Sequence, residues 1–151
     1  MAKAPASKTI KVTQGKFAAA ENFFNVYESR VLYGDINGDG QEDAAVQISC
    51  GSSAGSLRAF EVHVFTFKNG AATLLARLDS GGLERAYKKL YPRGFVVTLA
   101  GDEGKIARGH LFVGAYTDGS NAGPKYISTF DYQWAGGKFK LFGKPVRKLN
   151  R

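Results

Sequence analysis

The residues best suited to chemistry lie in one short acidic segment, residues 33–43. Side chains that carry an oxygen occur there at three alternate positions, Asp35, Asn37 and Asp39, and again four residues later at Asp43. Calcium takes about six to eight hard oxygen ligands, from carboxylates, amides and backbone carbonyls. If Asp35 is position 1, the loop also offers a backbone carbonyl at position 7 (Gln41) and a glycine for the sharp reversal at position 6 (Gly40). These residue types at this spacing predict a bound Ca²⁺.

The charge of the segment favours a cation as well. The chain has 21 Lys and Arg against 13 Asp and Glu, a formal net charge of +8, yet four carboxylates crowd into residues 35–43. Without a counter-ion these carboxylates would repel one another, so a bound cation explains why they cluster. The alternative is an ordinary polar turn, for which Asn-Gly-Asp-Gly is also suitable chemistry.

The segment differs from an EF-hand loop at its twelfth position. An EF-hand places a bidentate Glu there, whereas this chain has Val46, inside the apolar run 44–48. That run and the preceding residues 31–33 both have the character of strands. We therefore predict a calcium loop that joins two strands rather than two helices.

The stretch Gly34–Val46, GDINGDGQEDAAV, resembles the strand–loop–strand calcium motif of FG-GAP/VCBS-type repeats. The resemblance implies these ligands: Asp35, Asn37, Asp39, Gln41 and Asp43. The wider layout resembles small exported bacterial proteins, often lipoproteins, with one such loop and a later aromatic hairpin, here Tyr132–Trp134 and Gly136–Phe139. The resemblance implies a non-enzymatic calcium-binding module of the periplasm, and more specifically an inhibitor or immunity partner of a cell-wall hydrolase.

Other candidates for chemistry are weaker. Glu61 and His63 share one face of an alternating strand and could act as an acid–base pair, but an exposed strand face has the same pattern. His110 has no evident partner in the sequence, and Cys50, the only cysteine, is expected to be a buried and inert thiol. The lack of a convincing catalytic pair favours a binding protein. The alternative is a calcium-dependent enzyme or binder that acts on an anionic polymer, glycan or nucleic acid.

The basic residues predict a polyanionic partner, but less specifically than the acidic loop predicts calcium. Four lysines near the end of the chain could bind an anionic glycan: Lys125, Lys138, Lys140 and Lys144. A solvated basic face is the alternative, because net charge speaks to association and not to function. We expect a protein partner in the cell envelope, and nucleic acid is the less favoured polyanion. With no apolar run of about 18 residues, the sequence predicts no transmembrane segment.

The elements that must position these residues are mostly strands. Alternating apolar residues predict a mainly β domain of antiparallel strands and hairpins, propeller-like or sandwich-like, with at most one or two short helices. Glycine-containing turns at 68–70 and 135–137 predict two hairpins, and residues 83–90 and 18–24 are the candidate helices. We predict a flexible tail at 1–8, one domain at 9–146 with its first strand at 9–13, and a basic tail at 147–151.

The predicted affinity of the loop bears on location. Without a carboxylate at position 12 the site is expected to be weak to moderate, and calcium sites of extracellular modules have dissociation constants of about 10⁻⁴–10⁻³ M. Such a site is useful outside the cytoplasm. The first residues contain no hydrophobic stretch, so either the protein is cytosolic or an export signal has been removed. Because of the calcium argument, we expect an extracytoplasmic protein whose export signal has been removed.

Overall fold

The computed structural model describes residues 16–19, 22–52, 58–120 and 122–151. One sheet contains five antiparallel strands in sequence order: β1 (Lys16–Ala19), β2 (Asn22–Gly34), β3 (Asp43–Ser52), β4 (Arg58–Lys68) and β5 (Ala71–Asp79). The other contains six: β6 (Val96–Leu99), β7 (Lys105–Ala107), β8 (His110–Ser120), β9 (Gly123–Ala135), β10 (Lys138–Leu141) and β11 (Val146–Leu149). The predicted fold class, mainly β with antiparallel strands and hairpins, is confirmed.

Both predicted hairpins are confirmed, and each has a two-residue turn. Asn69 and Gly70 connect β4 to β5 with φ angles of 52° and 76°. Gly136 and Gly137 connect β9 to β10 with φ angles of 59° and 78°. Two successive positive φ angles define the turn whose twist suits adjacent antiparallel strands, and Asn and Gly adopt such angles at the lowest steric cost.

The six-stranded sheet is built around two long central strands. β8 and β9 pair along most of their length, from His110↔Gln133 to Ser120↔Gly123. Short strands flank this pair on both sides: β6 and β7 both pair with β8, while β10 and β11 both pair with β9.

The two sheets face each other across one hydrophobic core. Alternate residues of β4 point into it, with Val62 and Val64 almost fully buried. Leu111, Val113 and Phe130 meet them from the six-stranded sheet. Burial of each such side chain is worth about 1.5–3 kcal/mol, so the alternation in the sequence translates into a sandwich-like arrangement.

One α-helix, α1 (Ser80–Lys88), covers part of this core in the described ranges. It begins where the Asp79 carboxylate accepts a hydrogen bond from the Gly82 amide at 2.6 Å, which satisfies a free amide of the first turn. Leu83 and Tyr87 are its buried residues. The helix predicted at 83–90 is therefore present, and it starts three residues earlier because its cap precedes the apolar pattern.

Two sequence expectations differ from the structure, and three lie outside the residues that it describes. The helix predicted at 18–24 is wrong: residues 18 and 19 belong to β1 and residues 22–24 to β2, and the two strands pair from Lys16↔Asn25 to Ala19↔Asn22. The segment predicted as a basic tail from 147 on contains most of β11, which hydrogen-bonds to β9. The predicted tail at 1–8, the predicted strand at 9–13 and the burial of the Cys50 thiol lie outside what the structure describes.

Candidate metal centre

The acidic loop connects the end of β2 to the start of β3. Gly34 and Asp43, which flank it, are paired in the sheet, so the loop must reverse direction within residues 35–42. Ile36, the second residue of the loop, is 2 % exposed and belongs to the hydrophobic core. This apolar anchor holds an otherwise polar loop against the sandwich.

Asp43 is the most unusual residue of the loop, because its carboxylate is fully buried. Its Oδ2 atom accepts hydrogen bonds from the backbone amides of Ile36 at 2.9 Å and Asn37 at 3.3 Å. Its Oδ1 atom is buried and has no hydrogen-bond partner among the described residues. A buried polar oxygen without a partner costs about 1–3 kcal/mol, and more when the group is charged, so this oxygen calls for a ligand.

Asp35 closes the first half of the loop. Its Oδ1 and Oδ2 atoms accept hydrogen bonds from the amides of Gly38 at 2.7 Å and Gly40 at 3.0 Å. Both glycines have φ near +80°, a conformation that a side chain would strain. The reversal expected at Gly40 is thus present, and Gly38 supplies a second one.

Asn37 and Asp39 continue the same pattern one turn later. Asn37 Oδ1 accepts from the Asp39 amide at 2.8 Å, and Asp39 Oδ1 accepts from the Gln41 amide at 2.9 Å. The Asn37 side-chain amide donates to Asp39 Oδ2 at 3.1 Å and to Thr66 Oγ1, on β4, at 3.3 Å. The side-chain oxygens of Asp35, Asn37 and Asp39 therefore each accept a backbone amide of the loop. The Gln41 group that takes part is its amide, whereas the predicted ligand is its carbonyl.

The donor types of the loop suit a hard cation, but its carboxylates do not converge on one point. No group of three or more His, Cys, Asp or Glu side chains in the described ranges is close enough to hold a metal ion. Instead, the Asp35 and Asp39 oxygens are engaged by backbone amides. Each carboxylate oxygen can accept more than one interaction, so these hydrogen bonds do not use up the capacity of Asp35 and Asp39 to act as ligands.

Position 12 of the loop is closed to coordination. Val46 lies within β3, where it pairs with Val31 of β2 and His63 of β4. The loop joins two strands, as the sequence predicts, and the predicted ligands all lie within residues 35–43.

The two histidines both contact carboxylates. His63 Nε2 lies 2.5 Å from Glu61 Oε2, on the face of β4 opposite the core-facing valines. His110 Nδ1 lies 2.7 Å from Asp131 Oδ1 on the neighbouring strand β9. The second pair was missed in the sequence because its members are 21 residues apart and meet diagonally across two strands.

The four lysines predicted to bind a glycan do not form one site. Lys125 lies near the start of β9, whereas Lys140 pairs with Gln133 near its end, about 27 Å further along the strand. Lys138 and Lys140 are exposed on the same face of β10, and Lys144 is exposed in the connection to β11. The structure therefore separates Lys125 from the other three.

No protein-family model matches the chain, and neither a curated protein nor a solved structure shows significant similarity to it. In the part of the chain that the structure describes, no helix has the length and apolar character that a membrane crossing requires.

Proposed function

We propose that this chain is an extracytoplasmic, non-enzymatic binding protein whose acidic loop holds one calcium ion. The observation that supports the ion most strongly is the fully buried Asp43 carboxylate, whose Oδ1 atom lacks a partner among the described residues. A cation bound by Asp35, Asn37, Asp39, the Gln41 carbonyl and Asp43 would supply that partner. It would also offset the repulsion among the carboxylates of the loop.

The role of the ion in this proposal is to hold the loop on the sandwich. Ile36 is packed in the core, and its amide donates to the same Asp43 carboxylate that would bind calcium. Ion binding and loop anchoring therefore share one residue. A ligand that binds only the folded state stabilises it by RT ln(1 + [L]/Kd), about 1.4 kcal/mol at a tenfold excess over the dissociation constant.

The proposed location rests on affinity. Because Val46 is committed to β3, the site lacks the bidentate carboxylate that tight EF-hand sites use. The calcium concentration that such a site needs is found outside the cytoplasm, where modules work with dissociation constants of about 10⁻⁴–10⁻³ M.

Binding is preferred to catalysis because both candidate acid–base pairs are partly exposed to solvent. The Glu61–His63 and His110–Asp131 pairs are each only partly buried, with side-chain exposures between 19 and 32 %. Exposed pairs of this kind lack the desolvated surroundings that tune a general acid or base. The partner we propose is a protein of the cell envelope, with inhibition of a cell-wall hydrolase as the sharper version; capture from an envelope extract and assays of muralytic activity test it.

The calcium proposal is tested by thermal unfolding in calcium and in chelator. Calcium should raise the melting temperature of the wild type by about 3–6 °C, since each 1 kcal/mol moves a domain of this size by about 2–4 °C. Asp39→Ala and Asp43→Asn should abolish that rise. In chelator, Asp43→Asn should stay within about 1 kcal/mol of the wild type. Its amide oxygen can keep accepting from the Ile36 and Asn37 amides, while the charge next to the unsatisfied Oδ1 position is removed.

Glu42→Gln is the matched control, since it removes one negative charge from the same loop at an exposed position outside the predicted ligand set. It should keep the full calcium response. Equal loss in Glu42→Gln and Asp43→Asn would mean that calcium only screens the acidic loop. A wild type whose melting temperature is the same in calcium and in chelator would contradict the proposal.

A further inference from the structure

A basic and aromatic cleft lies at the end of β8 remote from the acidic loop. β8 begins next to Gly109, where an added Cβ would lie 3.9 Å from the Ile36 carbonyl of that loop. It reaches the cleft at Asp118, about 27 Å further on. The cleft has a volume of about 650 Å³, within the range of about 300–1,000 Å³ that small-molecule sites occupy. We call it the Arg147 cleft, and its lining also includes Tyr91, Arg93, Phe95, Lys125 and Tyr126.

Arg147 is held between two aromatic rings. Its guanidinium carbon lies 4.1 Å from the ring centroids of both Tyr91 and Tyr126. Its Nη1 atom makes long contacts, 3.4 Å to the Tyr87 hydroxyl and 3.5 Å to Asp118 Oδ2. Stacking fixes the plane of the guanidinium and directs its N–H groups outward from the edge, an arrangement that suits bidentate recognition of an oxyanion.

The charge of the cleft is unbalanced towards positive. Arg93 and Lys125 are exposed at its lining beside Arg147, and Asp118 is the one carboxylate in that lining. Asp118 is already engaged, because Oδ2 accepts from the Tyr87 hydroxyl at 2.7 Å and Oδ1 from the Phe95 amide at 3.1 Å. Three cations therefore face one occupied carboxylate, which favours an anionic ligand.

The walls of the cleft are closely packed at Gly94 and partly apolar at the opening. Gly94 is buried, and an added Cβ would lie 2.5 Å from the Tyr87 ring and 3.0 Å from Asp118, so the segment before β6 packs closely against the polar floor. Leu90, Pro92 and Phe95 are exposed around the opening. A ligand that matches this lining carries an anionic group and a body with C–H surface.

We propose that the Arg147 cleft binds an acidic saccharide, whose carboxylate pairs with Arg147 and Lys125 while a sugar face lies against the apolar rim. Single-stranded nucleic acid is disfavoured because successive bases stack on successive free ring faces, and of the three lining rings only that of Phe95 has no stacking contact in the described structure. Tyr91 already contacts both Arg147 and Tyr87, whose ring is 4.8 Å away, and Tyr126 contacts both Arg147 and Lys125. The proposal does not depend on calcium in the acidic loop, and of the four predicted lysines it uses only Lys125.

The test is a titration of the ¹⁵N-labelled protein, followed by amide and arginine side-chain signals, with a glucuronate-containing tetrasaccharide as the probe. Saturable shifts confined to residues of the Arg147 cleft are expected, with and without chelator. Chitotetraose, inorganic phosphate and oligothymidylate are the comparison ligands. The acidic saccharide should bind at least tenfold more tightly than each of them.

Variants assign the binding to the cleft. Lys125→Gln, at an exposed position, and Arg147→Lys, which keeps the charge and loses the planar fork, should each weaken binding about tenfold or more. Arg151→Gln, which removes a charge outside the cleft, should change it less than twofold. No saturable binding, equal binding of phosphate, tighter binding of oligothymidylate, or equal weakening by Arg151→Gln would each overturn the proposal. Because the titration is repeated in chelator, its failure is separate from failure of the calcium site.

Discussion

The acidic loop and the Arg147 cleft handle charge in opposite ways. In the loop, one carboxylate oxygen of Asp43 is buried without a partner in the described structure, and the proposed calcium ion would balance its charge. In the cleft, the guanidinium of Arg147 is held in place by two ring faces and one long contact to Asp118, and the cleft keeps an excess of positive charge. Under the proposed function the loop therefore gains stability from its ion, whereas the Arg147 side chain of the cleft is positioned without a ligand.

The two regions also differ in how they are attached to the core. The loop enters the core through one side chain, Ile36. The cleft is built from the segment after α1, the ends of β8 and β9, and β11, and Tyr87 connects it to the core through its contact with Phe130. A substitution at a single anchor should therefore disturb the loop far more than the cleft.

The largest effect is expected from Ile36→Ala. Replacing a buried isoleucine by alanine costs about 2–5 kcal/mol, and here it should also weaken calcium binding because the Ile36 amide donates to Asp43. Urea unfolding in calcium and in chelator measures both. Ile36→Val, which should cost about 0.5–1.5 kcal/mol, is the control, and a calcium response that is unchanged in Ile36→Ala would show that core anchoring and ion binding are independent.

A smaller effect is expected at Tyr132, on β9. Burial, with a lesser contribution from the negative charge of Asp79, raises the pKa of Tyr132 to about 12. The unfolded phenol ionises near its ordinary value, about 10. The folded state therefore holds this proton more tightly, and the stability that this provides is present below pH 10 and falls as the pH rises to about 12. The loss over those two units is about 2–3 kcal/mol.

Tyr132→Phe removes this titration and isolates it from the other tyrosines. Stability curves of the variant and the wild type should run parallel below pH 10 and converge or cross above it, while calcium and saccharide binding stay the same. Parallel curves up to pH 12 would contradict the assigned burial of the phenol.

The smallest effect is expected from Arg147→Met on stability. Loss of two partly exposed cation–π contacts should cost about 1–2 kcal/mol, and the calcium-induced rise in melting temperature should be unchanged. Sites this far apart contribute additively, within about 0.3–0.5 kcal/mol. A diminished calcium response in Arg147→Met would show that the two regions are coupled and that the comparison between them is wrong.

Chain locality explains which parts of the molecule can be predicted from sequence. The acidic loop is contiguous in the chain, so its backbone reversals can be predicted from the positions of its glycines. The turns at Asn69-Gly70 and Gly136-Gly137 are predictable for the same reason. The Arg147 cleft is not local: Tyr91, Asp118, Tyr126 and Arg147 come together only when β11 pairs with β9. The residues next to Arg147 in the chain do not indicate that its guanidinium will stack on Tyr91 and Tyr126.

The wrong helix at 18–24 has a different cause. Its alanines favour a helix by intrinsic propensity, but propensity is a weak preference that strand pairing overrides. β1 and β2 pair along residues 16–19 and 22–25, and β2 also pairs with β3. The hydrogen bonds of a sheet are lost if either segment coils into a helix.

The divided borders of the six-stranded sheet have a consequence for crowded solutions. Each outer border is cut into two short pieces, β6 with β7 and β10 with β11, and none of the four exceeds four residues. The gap between β10 and β11 contains Gly143 and Pro145, and Lys138, Lys140 and Lys148 extend from the pieces beside it. Because these edge strands are short and carry positive charge, a strand of another molecule finds little continuous backbone with which to form hydrogen bonds. We therefore expect this edge of the sheet to resist edge-to-edge aggregation.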